Sequence, residues 1–323
     1  MAAKAPPDLT SRIATAPFAA QLALSAGAGA GAALGQAPTS LPLLLVLGCA
    51  VGFFLWRLQG SRRAAGWIGW AFGTGYFVVA LHWIVEPFQV DVARHGWMAP
   101  FALLFLSGGL ALFWAAAFWA ARALSSRGIL LALTWTAAEV LRAYIFTGFP
   151  WASPAQILVD GPASRLLAWG GPHGATLALM LLAWVLSLPA QGRAINNSQR
   201  VGKALVLLAA GLALHLPQAR PPAGVTGKTV RLIQPNAVQH LKWQPDYAEL
   251  FYQRQLSLTA TATQTPPDLV VWPETAIPWR LETADPVLRQ IAATAGSVPV
   301  VLGALRNDAD GPRNSLAVLD GEG

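Results

Sequence analysis

Charge is scarce in this sequence. Asp, Glu, Lys and Arg together supply 11% of its 323 residues, while 54% are hydrophobic. A soluble domain usually carries about a quarter of its residues as these four types. The deficit leaves too little charge to cover a water-facing surface of this size, so lipid must cover part of it. Cysteine is almost missing: Cys49 stands alone, inside the apolar run Leu41–Trp56. One thiol closes no internal disulfide, and a thiol in lipid stays protonated and unreactive, so Cys49 reads as a packing residue. The five histidines (His82, His95, His173, His215 and His240) show no i,i+4 or H-x-H pairing. No metal site is therefore expected, and no cofactor. A cleavable signal pattern is not seen either. The N-terminal segment is rich in small residues, lacks a compact basic stretch, and leads at once into further apolar runs.

The charges that are present fall unevenly. Residues 1–223 hold 14 Lys/Arg against 5 Asp/Glu, and residues 224–323 hold 8 against 10. The high isoelectric point, near 10.2, thus belongs to the apolar part. Its basic residues sit in short connections between apolar runs, a pattern of membrane topology and not of a nucleic-acid face. A bilayer core about 30 Å thick needs roughly 20 apolar residues of helix. Seven spans are expected near Ala16–Leu34, Leu41–Trp56, Ala65–Ile84, Met98–Ala121, Ile129–Phe146, Ala175–Leu188 and Val201–Leu216. The first has little bulk beyond Phe18, Leu22 and Leu24, but small residues favour close helix packing in lipid.

The connections also predict an orientation. With the N-terminus cytoplasmic, the cytoplasmic segments carry Lys4, Arg12, Arg57, Arg62, Arg63, Arg122, Arg127, Arg193, Arg200 and Lys203, and the opposite loops carry only Arg94 and Arg165. Positive charge stays inside. Seven spans then deliver everything after about Pro217 to the outer side. The expected outer loops hold His82–Pro87 and a longer stretch, Ile145–Gly174, that contains Thr147-Gly148-Phe149-Pro150-Trp151. Trp83 and Trp151 read equally well as interface anchors. Glu139 and Arg142 form an i,i+3 pair near the end of the fifth span. A pair at that depth costs free energy unless mutually satisfied, and it either locks the helix or orients a lipid headgroup.

From about Thr226 the pattern changes. Val230–Gln234 alternates like a strand, and a polar helix is expected over Asp246–Ala262. The continuous run Asp268–Trp272 is of buried parallel-strand type. A helix near Pro286–Ala295 precedes strands at Val298–Ala304 and Ser315–Asp320. Strands alternating with helices predict an α/β sheet covered on its faces. Its informative tetrapeptide is Trp272-Pro273-Glu274-Thr275. A carboxylate just past the end of a buried strand lies where open α/β sheets place their ligands. Partial burial among Trp272, Pro278 and Trp279 would suit Glu274 to a general base, although a loop-end glutamate can be ordinary.

Leu269-Val270-Val271-Trp272-Pro273-Glu274-Thr275-Ala276-Ile277-Pro278 resembles the strand and catalytic-glutamate motif of the nitrilase/amidase superfamily, and in particular of the apolipoprotein N-acyltransferases. Other segments resemble that family in order. Thr147–Trp151 followed by Asp160-Gly161-Pro162 resembles its periplasmic loop after the fifth span. Ile233-Gln234-Pro235-Asn236 followed by Leu241-Lys242-Trp243 resembles its first nitrilase strand and adjoining tryptophan segment. Gly303 and Asn314-Ser315 resemble a later Gly and Tyr-Asn-Ser/Thr region, with Arg313 where the family usually has Tyr.

The resemblance implies a multi-pass protein of the bacterial plasma (inner) membrane, with a helical bundle over 1–223. Residues 224–323 would be the N-terminal half of a periplasmic, nitrilase-like αββα domain. It implies Glu274 as general base, working with a lysine for the oxyanion and a cysteine nucleophile. The cysteine would take a fatty acyl chain from a phospholipid donor as a thioester. The α-amine of the S-diacylglyceryl cysteine of an apolipoprotein acceptor would then attack it. Trp243 would line the lipid entry, with Trp151 and Gly148 of the periplasmic loop beside it. Both substrates are lipids, and lifting one from the membrane costs about 0.8 kcal/mol per CH₂. The lysine, the cysteine and a last transmembrane helix are expected beyond Gly323. Lys228 and Lys242 precede the glutamate strand and are not expected to replace that lysine. The 323-residue polypeptide is therefore expected to be inactive as an acyltransferase. Competing readings are a membrane-anchored nitrilase-type amidohydrolase, which would not need Thr147–Trp151 or Trp243, and a membrane transporter or scaffold, which leaves the Trp-Pro-Glu strand unexplained.

Overall fold

Glycines set how closely the first helices approach one another. The computed structural model describes residues 9–187, scattered positions from 201 to 208, 226–238 and 241–320. After a short helix α1 (Leu9–Thr15), α2 (Phe18–Ala33) lies against α4 (Arg62–Ala80). A Cβ on Gly29 would overlap the Phe72 carbonyl, and one on Gly75 would overlap that of Ala26. The two backbones touch because neither glycine holds them apart, the close packing that small residues give in lipid.

The helical unit continues with α3 (Pro42–Leu58), α6 (Ala99–Leu124), α7 (Gly128–Tyr144) and α8 (Arg165–Leu186), whereas the single turn α5 (Val92–His95) groups with the C-terminal unit. Its core is aromatic. Trp114 packs 4.9 Å from Tyr76, 4.8 Å from Phe77 and 5.0 Å from Trp135, measured between ring centroids. Cys49 is buried on α3 within that core. Helix α8 breaks at Gly171-Pro172, where Pro172 cannot supply a backbone N–H, so its continuous apolar part begins afterwards.

An apolar helix stands at each of the first six expected spans, but length separates them. Among the described residues Val92–Leu124, Gly128–Thr147 and Pro162–Leu186 are long and apolar enough to cross a membrane. Arg62–Ala80 and His82–Gln89, bent by 48°, make a fourth if taken as one span. Helices α2 and α3 are apolar but stop at 16 and 17 residues. Most of the seventh expected span, Val201–Leu216, lies outside the described residues.

The chain divides into two compact units, one of Met1–Val85 with Trp97–Arg220 and one of Glu86–Gly96 with Pro221–Gly323. The second contains a mixed sheet in the order β1 (Val230–Leu232), β2 (Leu269–Val271), β3 (Val300–Asp308) and β4 (Gly311–Leu319). The first three strands are parallel, and β4 returns antiparallel on β3. Helices α9 (Pro245–Ala260) and α10 (Asp285–Ala295) supply Tyr252, Leu256 and Ile291 to a core with Val270, Trp272, Val300 and Leu302. On β1 and β4, Leu232, Leu316 and Val318 remain exposed.

The hairpin departs from the expected strand-helix alternation. Strands β3 and β4 extend together beyond their apolar parts, from Leu305↔Asn314 to Asp308↔Gly311. Gly311 at φ 121° provides the turn, and Arg313 ties it by donating to Asp308 at 2.8 Å and Asp310 at 3.1 Å.

Candidate functional site

Three parallel strands end at one edge of the sheet, and that edge collects the chemistry. Beyond β1 the chain runs through Ile233, whose N–H donates to Val271 at 2.9 Å, into Gln234-Pro235-Asn236. Beyond β2, Trp272 N–H donates to Val301 at 2.8 Å, and the chain then turns through Pro273-Glu274-Thr275. Asn236 and Thr275 both have positive φ, 52° and 47°. Asn tolerates such backbone, whereas for the β-branched Thr275 it is rare and persists where the surroundings fix it.

The surroundings do fix it, largely through carbonyl oxygens. Lys242 Nζ donates to the Glu274 carbonyl at 3.1 Å, Gln255 Nε2 to that of Ala276 at 2.8 Å, and Arg254 to that of Pro235 at 2.7 Å. Strand β3 closes the turn from the other side. Gly303 N–H donates to Pro273 at 3.2 Å, and the Gly303 carbonyl accepts from Ala276 at 2.7 Å. A Cβ on Gly303 would lie 2.7 Å from both Glu274 Cα and Thr275 N, so only glycine admits this approach.

The Glu274 side chain is exposed, and the burial expected for it is not found. Trp272, two residues earlier, turns its ring into the core and donates to Thr259 at 2.9 Å. Trp279 packs edge-on to Tyr252, 5.3 Å between centroids, instead of over the carboxylate. Glu274 is positioned by hydrogen bonding: Asn314 Nδ2, on β4, donates to Oε1. Oε2 has no partner among the described residues, which leaves it open to a proton.

Beside this turn lies a cavity of about 150 Å³, lined on one side by Gln234, Asn236 and Thr275 and on the other by Lys242, Trp243 and Phe251. Trp243 is 40% exposed, and Lys242 Nζ sits 5.0 Å from the centroid of its ring. Burial pulls the Lys242 ammonium below the usual lysine range, and the charge of Glu274 partly opposes that. The edge therefore sets an aromatic face and a partly desolvated cation on a small cavity, with Glu274 next to it in the chain between the lining residues Pro273 and Thr275. Among the described residues no three His, Cys, Asp or Glu side chains gather to hold a metal ion.

Gly148 and Trp151 belong to the helical unit. Gly148 has φ 83°, and a Cβ there would overlap the Ala143 carbonyl. Trp151, 57% exposed, meets Trp83 edge-to-face at 6.0 Å. The buried Arg142 pairs with Glu139 and donates to the carbonyls of Phe149 and, at 2.8 Å, Trp151. Of the two roles expected for the pair, this bonding matches locking: it fixes the Gly148–Trp151 loop to α7.

Two groups at the glutamate edge escaped the sequence reading. Lys242 is distant from Glu274 in the chain, yet parallel strands bring the segments after β1 and β2 to one edge. Asn314 stood only within a matching segment. Its bond to Glu274 requires the hairpin, whose Asp310-Gly311 turn was the available signal.

Comparison with known proteins places this geometry in context. The sequence profile of the apolipoprotein N-acyltransferase N-terminal domain matches residues 28–185. A protein of Caulobacter vibrioides named apolipoprotein N-acyltransferase is 37% identical over 228 residues, 68% of this chain and 43% of its own length. Proteins of the same name from Allorhizobium ampelinum and Azotobacter vinelandii are 35% and 36% identical, each over 81% of this chain and 52% of theirs. The chain spans about half the length of the curated relatives it matches. With a shared profile over residues 28–185 and relatives of one name over most of its length, this chain is similar to the apolipoprotein N-acyltransferases.

Proposed function

We propose that this chain supplies the membrane bundle and the glutamate-bearing edge of an enzyme that N-acylates lipoproteins. In that reading residues 1–223 cross the bacterial inner membrane seven times with the N-terminus cytoplasmic. Residues 224–323 form the first half of a periplasmic, nitrilase-like αββα domain. Ten basic residues on one set of connections against two on the other support the orientation.

The observation that carries the proposal is Glu274 at the carboxyl edge of three parallel strands, held through Oε1 by Asn314 beside the Trp243 cavity. Such an arrangement suits a general base: one oxygen fixes the direction of the carboxylate and the other receives the proton. Acyl transfer to an amine needs a proton moved twice: from the nucleophile to the departing lysophospholipid oxygen as the acyl chain leaves the phospholipid, then from the α-amine of the diacylglyceryl cysteine to the departing nucleophile as the amide forms. Trp243 offers an apolar face to the acyl chain at the cavity, and Gly148 and Trp151 form a rigid loop for lipid contact. Cys49, the one cysteine of these 323 residues, is buried in the helical core. The polypeptide by itself is therefore expected to transfer no acyl chain.

The test uses the full reading frame that contains these residues, purified in detergent with a phospholipid donor and a diacylated lipopeptide acceptor. Triacylated product and lysophospholipid are expected, and Glu274→Gln should abolish both. Hydrolysis of small amides with no lipid product would instead establish the amidohydrolase reading. Full acyl transfer by Glu274→Gln would remove the glutamate from the mechanism.

A further inference from the structure

Five arginines of the helical unit stand at helix ends or in the connections between them. Arg57 closes α3, Arg62 and Arg63 open α4, Arg122 lies in the last turn of α6, and Arg127 directly precedes α7. Two cation–π contacts link these ends across helices: Arg122 lies 5.6 Å from the Trp56 ring, and Arg62 lies 5.3 Å from the Trp119 ring. No acidic residue occurs in Trp56–Trp67 or Trp119–Ile129.

Between α4 and α6, at these ends, runs an apolar groove of about 620 Å³. Small residues Gly66, Ala115 and Ala116 make its floor, Trp67, Trp70 and Trp119 its walls, and Arg63 stands at its mouth. The walls are built to stay in place. Trp70 Nε1 donates to the Gly108 carbonyl across the helix pair at 3.1 Å, Trp67 meets Trp70 edge-to-face at 5.6 Å, and Arg62 covers Trp119. The two adjacent arginines thus have different work. Arg62 is engaged with a wall, whereas Arg63 is exposed and makes no hydrogen bond or ion pair with the described residues.

We propose that this groove holds one anionic phospholipid, with an acyl chain between α4 and α6 and its phosphodiester on Arg63. An aromatic-walled slot with a floor of small residues takes a chain more closely than a convex helix surface does. A cation without a protein partner, set among arginines and away from any carboxylate, favours a headgroup of net negative charge over a zwitterionic one. Tryptophans at the same level suit the boundary between chains and headgroups.

Native mass spectrometry of the purified 323-residue chain, released from micelles containing equal phosphatidylglycerol and chain-matched phosphatidylethanolamine, tests this. The unaltered chain should retain one phosphatidylglycerol in clear excess. Arg63→Gln should lower that retained fraction about tenfold, as loss of one charge-assisted contact implies. Gly66→Leu should lower it similarly by filling the slot, because a Cβ at Gly66 stands 3.5 Å from its neighbours without a clash. Arg127→Gln, just before α7 and outside the groove, should change little. Equal retention of the two lipids would overturn the proposal. So would equal losses in Arg63→Gln and Arg127→Gln, which mean diffuse attraction, or undiminished retention by Gly66→Leu.

Discussion

Arg142 reaches Glu139, one helical turn before it, through hydrogen bonds of 2.9 and 2.6 Å, and both side chains are almost sealed from solvent. Trp114 donates to the same carboxylate at 2.7 Å, so the pair is held from a second helix. The remaining donors of Arg142 go to the loop that contains Gly148 and Trp151. One buried ion pair thus ties α7, α6 and that loop together.

Removing either partner strands the other. Arg142→Met and Glu139→Leu should each cost about 3–5 kcal/mol, and the double variant should cost less than the sum. Unfolding of the detergent-solubilised chain in a double-mutant cycle measures this. Additive losses would show that the pair is not coupled. Proteolysis within residues 147–152 should accelerate in Arg142→Met, which frees the loop.

Gly303→Ala should disturb Glu274 without touching its side chain. The new methyl meets the Glu274–Thr275 backbone, and overpacking of this kind costs about 1–3 kcal/mol. Hydrogen exchange should accelerate at Ala276, whose N–H donates to Gly303. Exchange identical to that of the unaltered chain would show that the turn absorbs the methyl.

Lys242 gives a pH dependence of known sign. Its folded-state value lies below the ordinary one, so between the two the unfolded chain binds more protons. Stability should rise with pH through that window, up to about pH 10.4. Lys242→Met should flatten the rise. The Trp243 fluorescence, isolated by difference against Trp243→Phe, should change as the ammonium facing its ring discharges, at a pH below that of free lysine.

The two members of the Lys228–Asp268 pair act with signs opposite to each other. Its 2.8 Å hydrogen bond lowers the Asp268 carboxyl and raises the Lys228 ammonium. The Asp268 contribution is complete above the ordinary carboxylate value, about 3.9, and is lost as pH falls through the depressed folded value. That of Lys228 is complete below about 10.4 and is lost as pH rises through the raised folded value. Asp268 also accepts from Thr229 N–H at 2.7 Å, beside edge strand β1. Exchange in Val230–Leu232 should therefore accelerate in acid, and Asp268→Asn should remove the dependence.

Apolar periodicity made the elements legible and left their terminal contacts dark. The runs at Leu269–Val271 and Val300–Ala304 announce buried strands, and the helices over Pro245–Ala260 and Asp285–Ala295 fall within a few residues of their expected places. Beyond Ala304 the hairpin is built from Arg306, Asn307, Asp308, Arg313 and Asn314. These residues pair through backbone register, and a hydrophobicity pattern contains no register between distant segments. The position of Glu274 at a strand end was readable from Trp272-Pro273-Glu274. Its exposure was not, because it depends on Trp272 and Trp279 turning towards Tyr252.

The short helices α2 and α3 affect the lipid around them. At 16 and 17 residues they measure about 24–26 Å, against roughly 30 Å for a bilayer core. The 26 residues of α6 exceed that thickness. Taken as spans, helices of such unequal height give the bundle a low side and a high side. Hydrophobic mismatch on the low side draws the two leaflets together there, and bilayer thickness becomes a setting to which this protein responds.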